Sequence, residues 1–324
     1  TAACCNALLT GAALYGIYRY FYGGICRCTT RLDGLVIIIT GPTSGIGKAL
    51  SFLLVERGAS LVLACRDLEK GNQLKNKLKK YNSNNAKIFV KQLNLQSFSS
   101  IIKFAEDINS TFNEIYALVN NAGVFFHEQK LTEDGFDITF QVNYLGPFVL
   151  THHLLKTLKK SDHARVVNVA SEAHRTVNVY DLKAITKCQT DFRTHYKAYG
   201  VSKLALVLFS RQLAKKLKNT NILVNAVNPG NVETAIYRYF PPLCNPFLYA
   251  LQWPVRTIVV KRPHQGAQSL LHSLLTSNRS TGQYISDCKL ALPSSIALND
   301  SLAEEYYDLT MQLLSDIFTT ESDC

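Results

Sequence analysis

The sequence predicts a doubly wound α/β fold built on a parallel β-sheet. Short, continuously apolar segments rich in β-branched residues recur along the chain, and longer amphipathic segments lie between them. Continuous apolar strands are typical of sheets that helices cover on both faces. A chain of 324 residues that is 47% hydrophobic can also bury such a sheet. Residues 31–324 are therefore expected to form one domain.

Seven segments are candidate strands, at residues 35–40, 60–65, 87–92, 116–120, 164–170, 222–228 and 282–285. A helical pattern follows each of the first six, as parallel strands joined by crossover helices require. The seventh has the weakest pattern.

The first strand runs into a glycine-rich turn, TGPTSGIG, and then into an apolar helix that begins near Lys48. Glycines let a pyrophosphate approach the backbone closely, and a helix N-terminus supplies free N–H groups and a favourable dipole. Strand, turn and helix in this order predict a dinucleotide site. The expected contacts are Gly41, Thr43, Ser44, Gly45, Ile46 and Gly47.

The end of the second strand indicates which dinucleotide binds. A fold that prefers NAD usually places an acid here for the ribose hydroxyls, whereas this strand ends at Cys65 and Arg66 follows. A guanidinium can pair with a 2′-phosphate at two points, so the sequence predicts NADP(H), with Lys48 as a candidate second contact. Asp67 is the counter-evidence, although its position two residues past the strand suits a turn.

Tyr199 and Lys203 stand four residues apart and therefore share one face of a helix. A phenol with an ordinary pKa near ~10 is a poor acid or base at neutral pH, but adjacent positive charge stabilises its phenolate. The pair predicts proton transfer to or from an alcohol or carbonyl.

These motifs, in this order, resemble the short-chain dehydrogenase/reductase family over about residues 35–285. They are the T-G-x-x-x-G-x-G turn, N-N-A-G at 120–123, a strand-end Ser171, Y-x-x-x-K at 199–203 and N-P-G at 228–230. The resemblance implies a Rossmann-type fold and hydride transfer between a nicotinamide and an alcohol or carbonyl.

The resemblance also assigns roles to residues. It implies a catalytic set of Asn143, Ser171, Tyr199 and Lys203, in which Ser171 steadies the reacting oxygen and Asn143 orders a water relay to Lys203. Beyond Tyr199 and Lys203, it implies cofactor contacts from Asn94, Leu95, Asn121, Ala122, Gly123, Pro229, Gly230, Val232 and Thr234.

Three departures from the family pattern leave the catalytic set intact. Asn94 stands where the family usually has an Asp near adenine, although its amide oxygen can still accept from the adenine amino group. Pro42 and Ser44 alter the usual turn, and Ala170 replaces a common Ser before Ser171.

Finer motifs resemble the microsomal retinol dehydrogenase branch: L-A-C-R-D at 63–67, V-N-Y-L-G at 142–146 and S-D-C-K at 286–289. This likeness implies a retinoid or similar apolar alcohol or aldehyde as substrate. It also implies an endoplasmic reticulum membrane location with the catalytic domain facing the cytosol. A reductase of steroid or other lipid carbonyls and a catalytically idle, membrane-bound NADP-binding scaffold remain alternatives, and a homo-oligomer stays open.

Two apolar segments point to the membrane. Residues 7–25 approach the ~20 residues of a membrane span, interrupted by Arg19, and Arg27 and Arg31 favour a cytoplasmic C-terminal side. We expect residues 1–30 to be an anchor and its flank, with a cleaved signal peptide as the alternative. Residues 231–265, where prolines alternate with aromatic residues, are the expected substrate lid, with ordinary core packing as the alternative.

The distribution of charge and cysteines argues against nucleic-acid binding and against a metal site. Lys and Arg outnumber Asp and Glu by 35 to 24, but they are scattered rather than clustered with aromatics, which excludes nucleic acid as a partner. The nine cysteines are dispersed and lack C-x-x-C spacing. We therefore expect a reducing compartment and no metal site, and we interpret His152, His153 and His174 as core or surface residues.

Overall fold

The computed structural model describes residues 16, 21–81, 87–127, 130–178, 195–234, 236, 256 and 259–319. Within them lies one sheet of eight strands. They are β1 Val36–Thr40, β2 Ser60–Cys65, β3 Ile88–Gln92, β4 Ala117–Asn120, β5 Arg165–Val169, β6 Leu223–Asn228, β7 Tyr284–Ser286 and β8 Lys289–Ala291. The order is β3-β2-β1-β4-β5-β6-β7-β8, and the first seven strands are parallel. The predicted doubly wound parallel sheet is confirmed, and each predicted strand is present.

The eighth strand is the one that the sequence pattern missed. It pairs antiparallel with β7 across a two-residue turn formed by Asp287 and Cys288. Both residues have positive φ, +50° and +59°, as a type I′ hairpin turn requires. Such turns usually carry Asn-Gly or Asp-Gly, so Asp-Cys does not signal a hairpin.

The helices of the described residues lie between the strands or after the last one, and they cover both faces of the sheet. In chain order they are α1 Gly45–Glu56, α2 Leu68–Tyr81, α3 Phe98–Thr111, α4 Ile138–Phe140, α5 Gly146–Leu158, α6 His195–Lys216, α7 Pro263–Leu275, α8 Asp300–Leu313 and α9 Ser315–Thr319. A π-helical turn, Gln141–Leu145, joins α4 to α5. A 3-10 turn, Glu172–Thr176, follows β5.

Alternation along β1 shows how the two cores form. Ile38 is buried with residues of α3, α5, α6 and α8. Ile37 and Ile39 are buried on the other face with residues of α1, α2 and α7. Successive side chains of a strand point to opposite faces, so a strand covered on both sides must be apolar throughout. This explains the continuous apolar runs in the sequence.

The carboxyl ends of β1, β4, β5 and β6 open at one edge of the sheet, where the strand order reverses between β1 and β4. Ligands of doubly wound sheets bind in the crevice at this reversal. The glycine-rich turn, the loop 121–123, Ser171 and the loop 229–234 all follow these strand ends. The topology thus collects the predicted site residues at a single edge.

The segment that precedes β1 is fastened to the domain. Cys26 N donates to Gln268 Oε1 at 3.1 Å, Thr30 Oγ1 donates to the carbonyl of Leu275, and Leu32 N donates to the carbonyl of Arg57. Within the described parts of the chain, no helix combines the length and apolar character that a membrane crossing needs. Most of the predicted anchor, 7–25, and most of the predicted lid, 231–265, lie outside the described residues.

Candidate active site

The glycine-rich turn is packed so closely that side chains cannot fit. Gly41 and Gly45 have φ of +63° and +53°, in the left-handed region that favours glycine. A Cβ on Gly41 would lie 2.9 Å from Ala122 Cα, and one on Gly45 would lie 2.9 Å from Thr234 Cγ2. A Cβ on Gly47 would lie 2.6 Å from the carbonyl oxygen of Gly41. The loops after β4 and β6 therefore lie directly against the turn.

Asn121 and Ala122 hold this turn in shape. The Asn121 Nδ2 donates to the carbonyls of Thr40 at 2.8 Å and Gly41 at 3.1 Å. The Thr40 hydroxyl accepts from the backbone N–H groups of Asn121 and Ala122 at 3.0 and 2.9 Å. The Asn121 side chain is therefore committed to the turn itself, as a structural support.

The N-terminus of α1 suits an anion. Ser44 is the N-cap residue, but its side chain makes no capping hydrogen bond, and the first turn of the helix carries no acid. The N–H groups at a helix N-terminus lack intrahelical partners, and the dipole there favours negative charge. Together with the glycine-rich turn, these features fit the pyrophosphate of a dinucleotide.

Arg66 and Asp67 differ in what they contact at the end of β2. Asp67 accepts from Lys70 N at 3.0 Å and pairs with Lys70 Nζ at 2.9 Å, and these contacts lower its pKa. It occupies the predicted turn position. Arg66 is exposed and makes no hydrogen bond or ion pair with the part of the chain that the structure describes. Its guanidinium is therefore available to a ligand.

Asn94 and Leu95 follow β3 and serve local structure. The Asn94 Oδ1 accepts from Gln96 N at 3.2 Å, and its backbone N–H donates to Ser100 Oγ at 3.0 Å. One lone pair of the amide oxygen, which we expected to meet adenine, is thus already used in a turn. The Leu95 side chain is buried against Gly146, which leaves its backbone for a cofactor contact.

Asn143 is held by hydrogen bonds to the loop after β4 and to α6. It lies in the π-helical turn and is buried. Its Oδ1 accepts from Val124 N at 2.8 Å, and its Nδ2 donates to the carbonyl of Val124 at 3.0 Å and to Ser202 Oγ at 3.1 Å. Asn143 therefore joins the loop after β4 to the helix that carries Tyr199 and Lys203.

Lys203 brings a charge into the interior of the domain. Its side chain is buried, and its Nζ donates to the carbonyl of Val169 at 2.7 Å. Burial lowers the pKa of Lys203 to about 8. The ammonium lies 5.5 Å from the centre of the Tyr199 ring, and the ring of Phe125 packs edge-on against Tyr199 at 4.9 Å. The phenol thus has a cation on one side and an apolar ring on another.

Ser171 begins the 3-10 turn beside this helix. Its Oγ accepts from Ala173 N at 3.3 Å, and its carbonyl accepts from His174 Nδ1 at 2.6 Å. His174 Nε2 accepts from Ser294 N at 2.9 Å, so the imidazole is neutral with its proton on Nδ1. A Cβ on Gly200 would lie 2.9 Å from the carbonyl of Ala173, so this turn rests directly on the turn of α6 that holds Tyr199.

The loop after β6 reaches from the catalytic edge to the glycine-rich turn. It begins with Pro229, and Gly230 N donates to Asn228 Oδ1 at 3.0 Å. Val232 is buried against Gly266, and Thr234 lies over Gly45. The predicted contacts at Thr43 and Gly123 lie on the turn after β1 and the loop after β4. The sequence-predicted residues therefore lie on contacting segments.

Several supporting residues escaped the sequence pattern. Glu172 Oε1 accepts from Asn228 Nδ2 at 2.8 Å and from the Tyr284 hydroxyl at 3.1 Å, which links the ends of β5, β6 and β7. Ser202 bridges Asn143 to the carbonyl of Tyr199. Ser202 could have been noticed within Y-x-x-x-K, whereas no spacing rule pairs Glu172 with partners 56 and 112 residues away.

Comparison with known proteins adds independent information. A family model described as short chain dehydrogenase matches residues 35–181 and 188–242. The chain is 38% identical to retinol dehydrogenase 12 of Homo sapiens over 302 residues, which are 92% of each chain. It is 35% identical to human retinol dehydrogenase 11 over 92% of this chain and 91% of that protein.

Solved structures with the same architecture include the Pseudomonas aeruginosa RhlG/NADP active-site complex. That chain superimposes with a TM-score of 0.62 at 26% identity, over 80% of this chain and 96% of that one. Levodione reductase superimposes with a TM-score of 0.63 at 20% identity, over 79% and 96% of the two chains.

Proposed function

Because this chain belongs to the short-chain dehydrogenase family, in its retinol dehydrogenase branch, we propose which reaction it catalyses within that family. It is an oxidoreductase that acts on CH–OH donors and binds a nicotinamide cofactor. The proposed reaction interconverts a retinoid, or a similarly apolar alcohol, and its aldehyde or ketone with NADP(H). The observation that carries this proposal is the contact between the Tyr199–Lys203 turn of α6 and the turn that begins at Ser171.

The chain's own residues move and hold the proton in this reaction. The nicotinamide, when bound, supplies or accepts the hydride. Tyr199 gives its proton to the carbonyl oxygen during reduction and takes one from the alcohol during oxidation. Since its pKa is about 8, Lys203 is mostly cationic at neutral pH, and its charge stabilises the phenolate. Ser171 donates a hydrogen bond to the reacting oxygen.

Two neighbouring residues support NADP(H) as the cofactor. The guanidinium of Arg66 is exposed at the end of β2, where a 2′-phosphate would lie. The carboxylate of Asp67, which would otherwise favour NAD(H), is engaged by Lys70. The cation is thus free for a phosphate while the acid is occupied.

Aromatic residues around the phenol support an apolar substrate. The ring of Phe125 packs against Tyr199 and lies 5.2 Å from Phe126 and 6.0 Å from Tyr196. Phe126 adopts a φ of +56°, which is rare for an aromatic residue. Strained backbone of this kind occurs where surrounding structure holds a side chain in place, and here the Phe126 ring packs against Phe125, whose ring contacts Tyr199.

We assign residues 7–25 to membrane attachment at the endoplasmic reticulum, with the catalytic domain in the cytosol. Arg27 and Arg31 follow this stretch, as a cytoplasmic flank requires. Attachment would present the catalytic edge to substrates dissolved in the bilayer.

Turnover by the purified full chain tests the proposal. We expect reduction of retinal with NADPH, and we expect Tyr199→Phe to lower kcat by about 10²–10⁴-fold, because the proton donor is lost. Tyr196→Phe, an exposed position on the same helix, is the matched control and should keep full activity.

The alternatives give different results in the same assay. Strong turnover of steroid ketones or alkanals without turnover of retinal would replace the retinoid by another lipid carbonyl. NADPH binding without turnover of any of these carbonyls would identify an idle scaffold. A Tyr199→Phe variant as active as the unaltered chain would overturn the mechanism.

A further inference from the structure

Three metal-ligating side chains meet on the face of the sheet covered by α1 and α7. Cys26 and Cys28 lie in the segment before β1, and His272 lies on α7. Their donor atoms are all within 4.8 Å of one another, and Cys28 Sγ is 3.8 Å from His272 Nδ1. We call Cys26, Cys28 and His272 the thiol–imidazole cluster. It lies apart from the catalytic set, since α6 packs on the opposite face.

We propose that the thiol–imidazole cluster binds one zinc ion. Thiolate and imidazole are the ligands that zinc prefers, with Zn–S near ~2.3 Å and Zn–N near ~2.0 Å in tetrahedral sites. These lengths place neighbouring donor atoms about 3.6–3.8 Å apart. The separation of Cys28 Sγ and His272 Nδ1 is already close to this value, and the other pairs of donor atoms need to close by at most about 1 Å.

Protonation and charge are compatible with a cation here. Zinc binds imidazole in its neutral form and cysteine as the thiolate, so binding here releases the thiol protons to solvent. Two thiolates and one neutral imidazole carry two negative charges, which balance Zn²⁺. The buried complex is therefore neutral, which avoids the large cost of burying net charge.

Arg57 assists the ligands from α1's C-terminal end. It donates from Nη2 to the carbonyl of Cys28 at 3.2 Å, which fixes the backbone immediately after Cys28. Arg57 thus holds in place the segment that carries the two thiols.

A cavity of about 1050 Å³ gives an ion access to the cluster. Cys28 and His272 line it, together with Cys288 and the ion pair of Lys261 with Asp287. Water in this cavity can fill the fourth position of a tetrahedral ion. Cys288 places a further thiol beside it, on the β7–β8 turn.

A zinc ion at this position would have a structural role. Cys28 and His272 are 244 residues apart, so one ion would join the segment that follows the proposed anchor to α7. A ligand that binds only the folded state stabilises that state. Zinc would therefore hold the N-terminal segment against the domain without entering the hydride chemistry.

Titration of the full chain with Co²⁺ tests the proposal. The chain is stripped with a chelator and kept reduced with a phosphine, and Co²⁺ reports on ligands by its spectrum. We expect one Co²⁺ per chain, a near-ultraviolet thiolate-to-cobalt band, intense visible bands of tetrahedral cobalt, and loss of all bands when Zn²⁺ is added. Zinc should also raise the Tm.

Variants separate this site from adventitious thiol binding. Cys28→Ser and His272→Gln, both at half-buried positions, should lose stoichiometric binding and the zinc-dependent rise in Tm. Cys65→Ala removes a buried cysteine of β2 that lies outside the cluster, and it should bind as the unaltered chain does. The proposal is wrong if the reduced chain binds no stoichiometric metal, or if a chain carrying both Cys28→Ser and His272→Gln keeps the cobalt bands.

Discussion

Burial and catalysis make opposite demands on the positive charge of Lys203. Removal from water disfavours its charge and lowers its pKa to about 8, while the carbonyl of Val169 accepts one of its three hydrogens. The other two hydrogens are left for hydrogen bonds to ligand atoms. Water would screen the charge of a freely solvated lysine from Tyr199. The burial of Lys203 therefore strengthens the electric field at the phenol.

Arg66 is the residue on which the proposed preference for NADP(H) rests. We expect Arg66→Ala to raise the KM for NADPH about 10–100-fold, since charge-assisted hydrogen bonds to a phosphate contribute about 1.5–3 kcal/mol. The KM for NADH should change little because NADH lacks the 2′-phosphate. Steady-state kinetics with both cofactors measure the effect.

Lys77→Ala is the control, because it removes one exposed cation from α2 and leaves the ion pair of Lys70 with Asp67 in place. It should leave the NADPH preference intact. Equal losses for NADPH and NADH in Arg66→Ala would contradict a role for Arg66 at the 2′-phosphate.

At the residue scale, the sequence identifies groups that belong to spaced motifs. Tyr199, Lys203 and Arg66 could be predicted because each stands at a fixed distance from a strand or a helix turn. Glu172 could not, since its partners come from other strands and are specified only by the closed sheet. The thiol–imidazole cluster escaped for the same reason: C-x-C is not a C-x-x-C pair, and His272 is remote.

At the element scale, the turn from β1 to α1 depends on backbone conformation. We expect Gly41→Ala to weaken NADPH binding at least about tenfold, because a left-handed alanine costs about 1–2 kcal/mol and its Cβ would press on the backbone of Ala122. Fluorescence titration with NADPH measures this change.

Gly34→Ala is the matched control for that substitution. Gly34 also has positive φ, +76°, but a Cβ there would meet nothing within 4 Å. It should lower stability without changing NADPH affinity. If both variants bound NADPH equally weakly, the loss of affinity would come from general destabilisation and not from the glycine-rich turn.

His152 joins α5 to α8. Its Nδ1 donates to the carbonyl of Phe148 and its Nε2 accepts from the Tyr307 hydroxyl, both at 2.7 Å. Burial lowers the pKa of His152 to about 4. Between pH 6.5 and 4 the unfolded chain therefore binds more protons than the folded chain, so stability falls as pH falls through this range.

We expect His152 to account for up to about 3 kcal/mol of this acid destabilisation. His152→Gln cannot titrate and should show a flatter dependence of unfolding free energy on pH, measured by urea denaturation. His163→Gln, at an exposed position, should behave as the unaltered chain. An unchanged pH dependence in His152→Gln would place the acid sensitivity elsewhere.

Element bounds were predictable where burial on both faces forces a continuous apolar run, as in β2. The π-helical turn Gln141–Leu145 was not, because its five residues read as ordinary helix and the distinction lies in the hydrogen-bond register. That register projects Asn143 towards Val124 and Ser202, so the site's geometry depends on a feature without a sequence signature.

On the scale of the whole molecule, the two proposed sites lie in different places and do different work. The hydride chemistry is at the carboxyl edge of the sheet, whereas the thiol–imidazole cluster fastens the N-terminal segment to α7. A net charge of +11 favours attraction to phosphorylated cofactors and to anionic lipid. Membrane binding can therefore arise from charge or from the apolar stretch, and the two must be separated.

Paired arginine substitutions separate them in the full chain. We expect Leu14→Arg with Ile17→Arg, at the middle of the stretch 7–25, to abolish sedimentation with phospholipid vesicles at high salt. Each arginine at the centre of a membrane segment raises the free energy of insertion by about 2.5–3.5 kcal/mol. Salt screens surface attraction but not apolar insertion. Leu290→Arg with Leu292→Arg is the matched control, since both leucines are exposed near the β7–β8 hairpin. If the control variant lost binding and the first variant kept it, the membrane contact would lie at that hairpin, and residues 7–25 would not be the anchor.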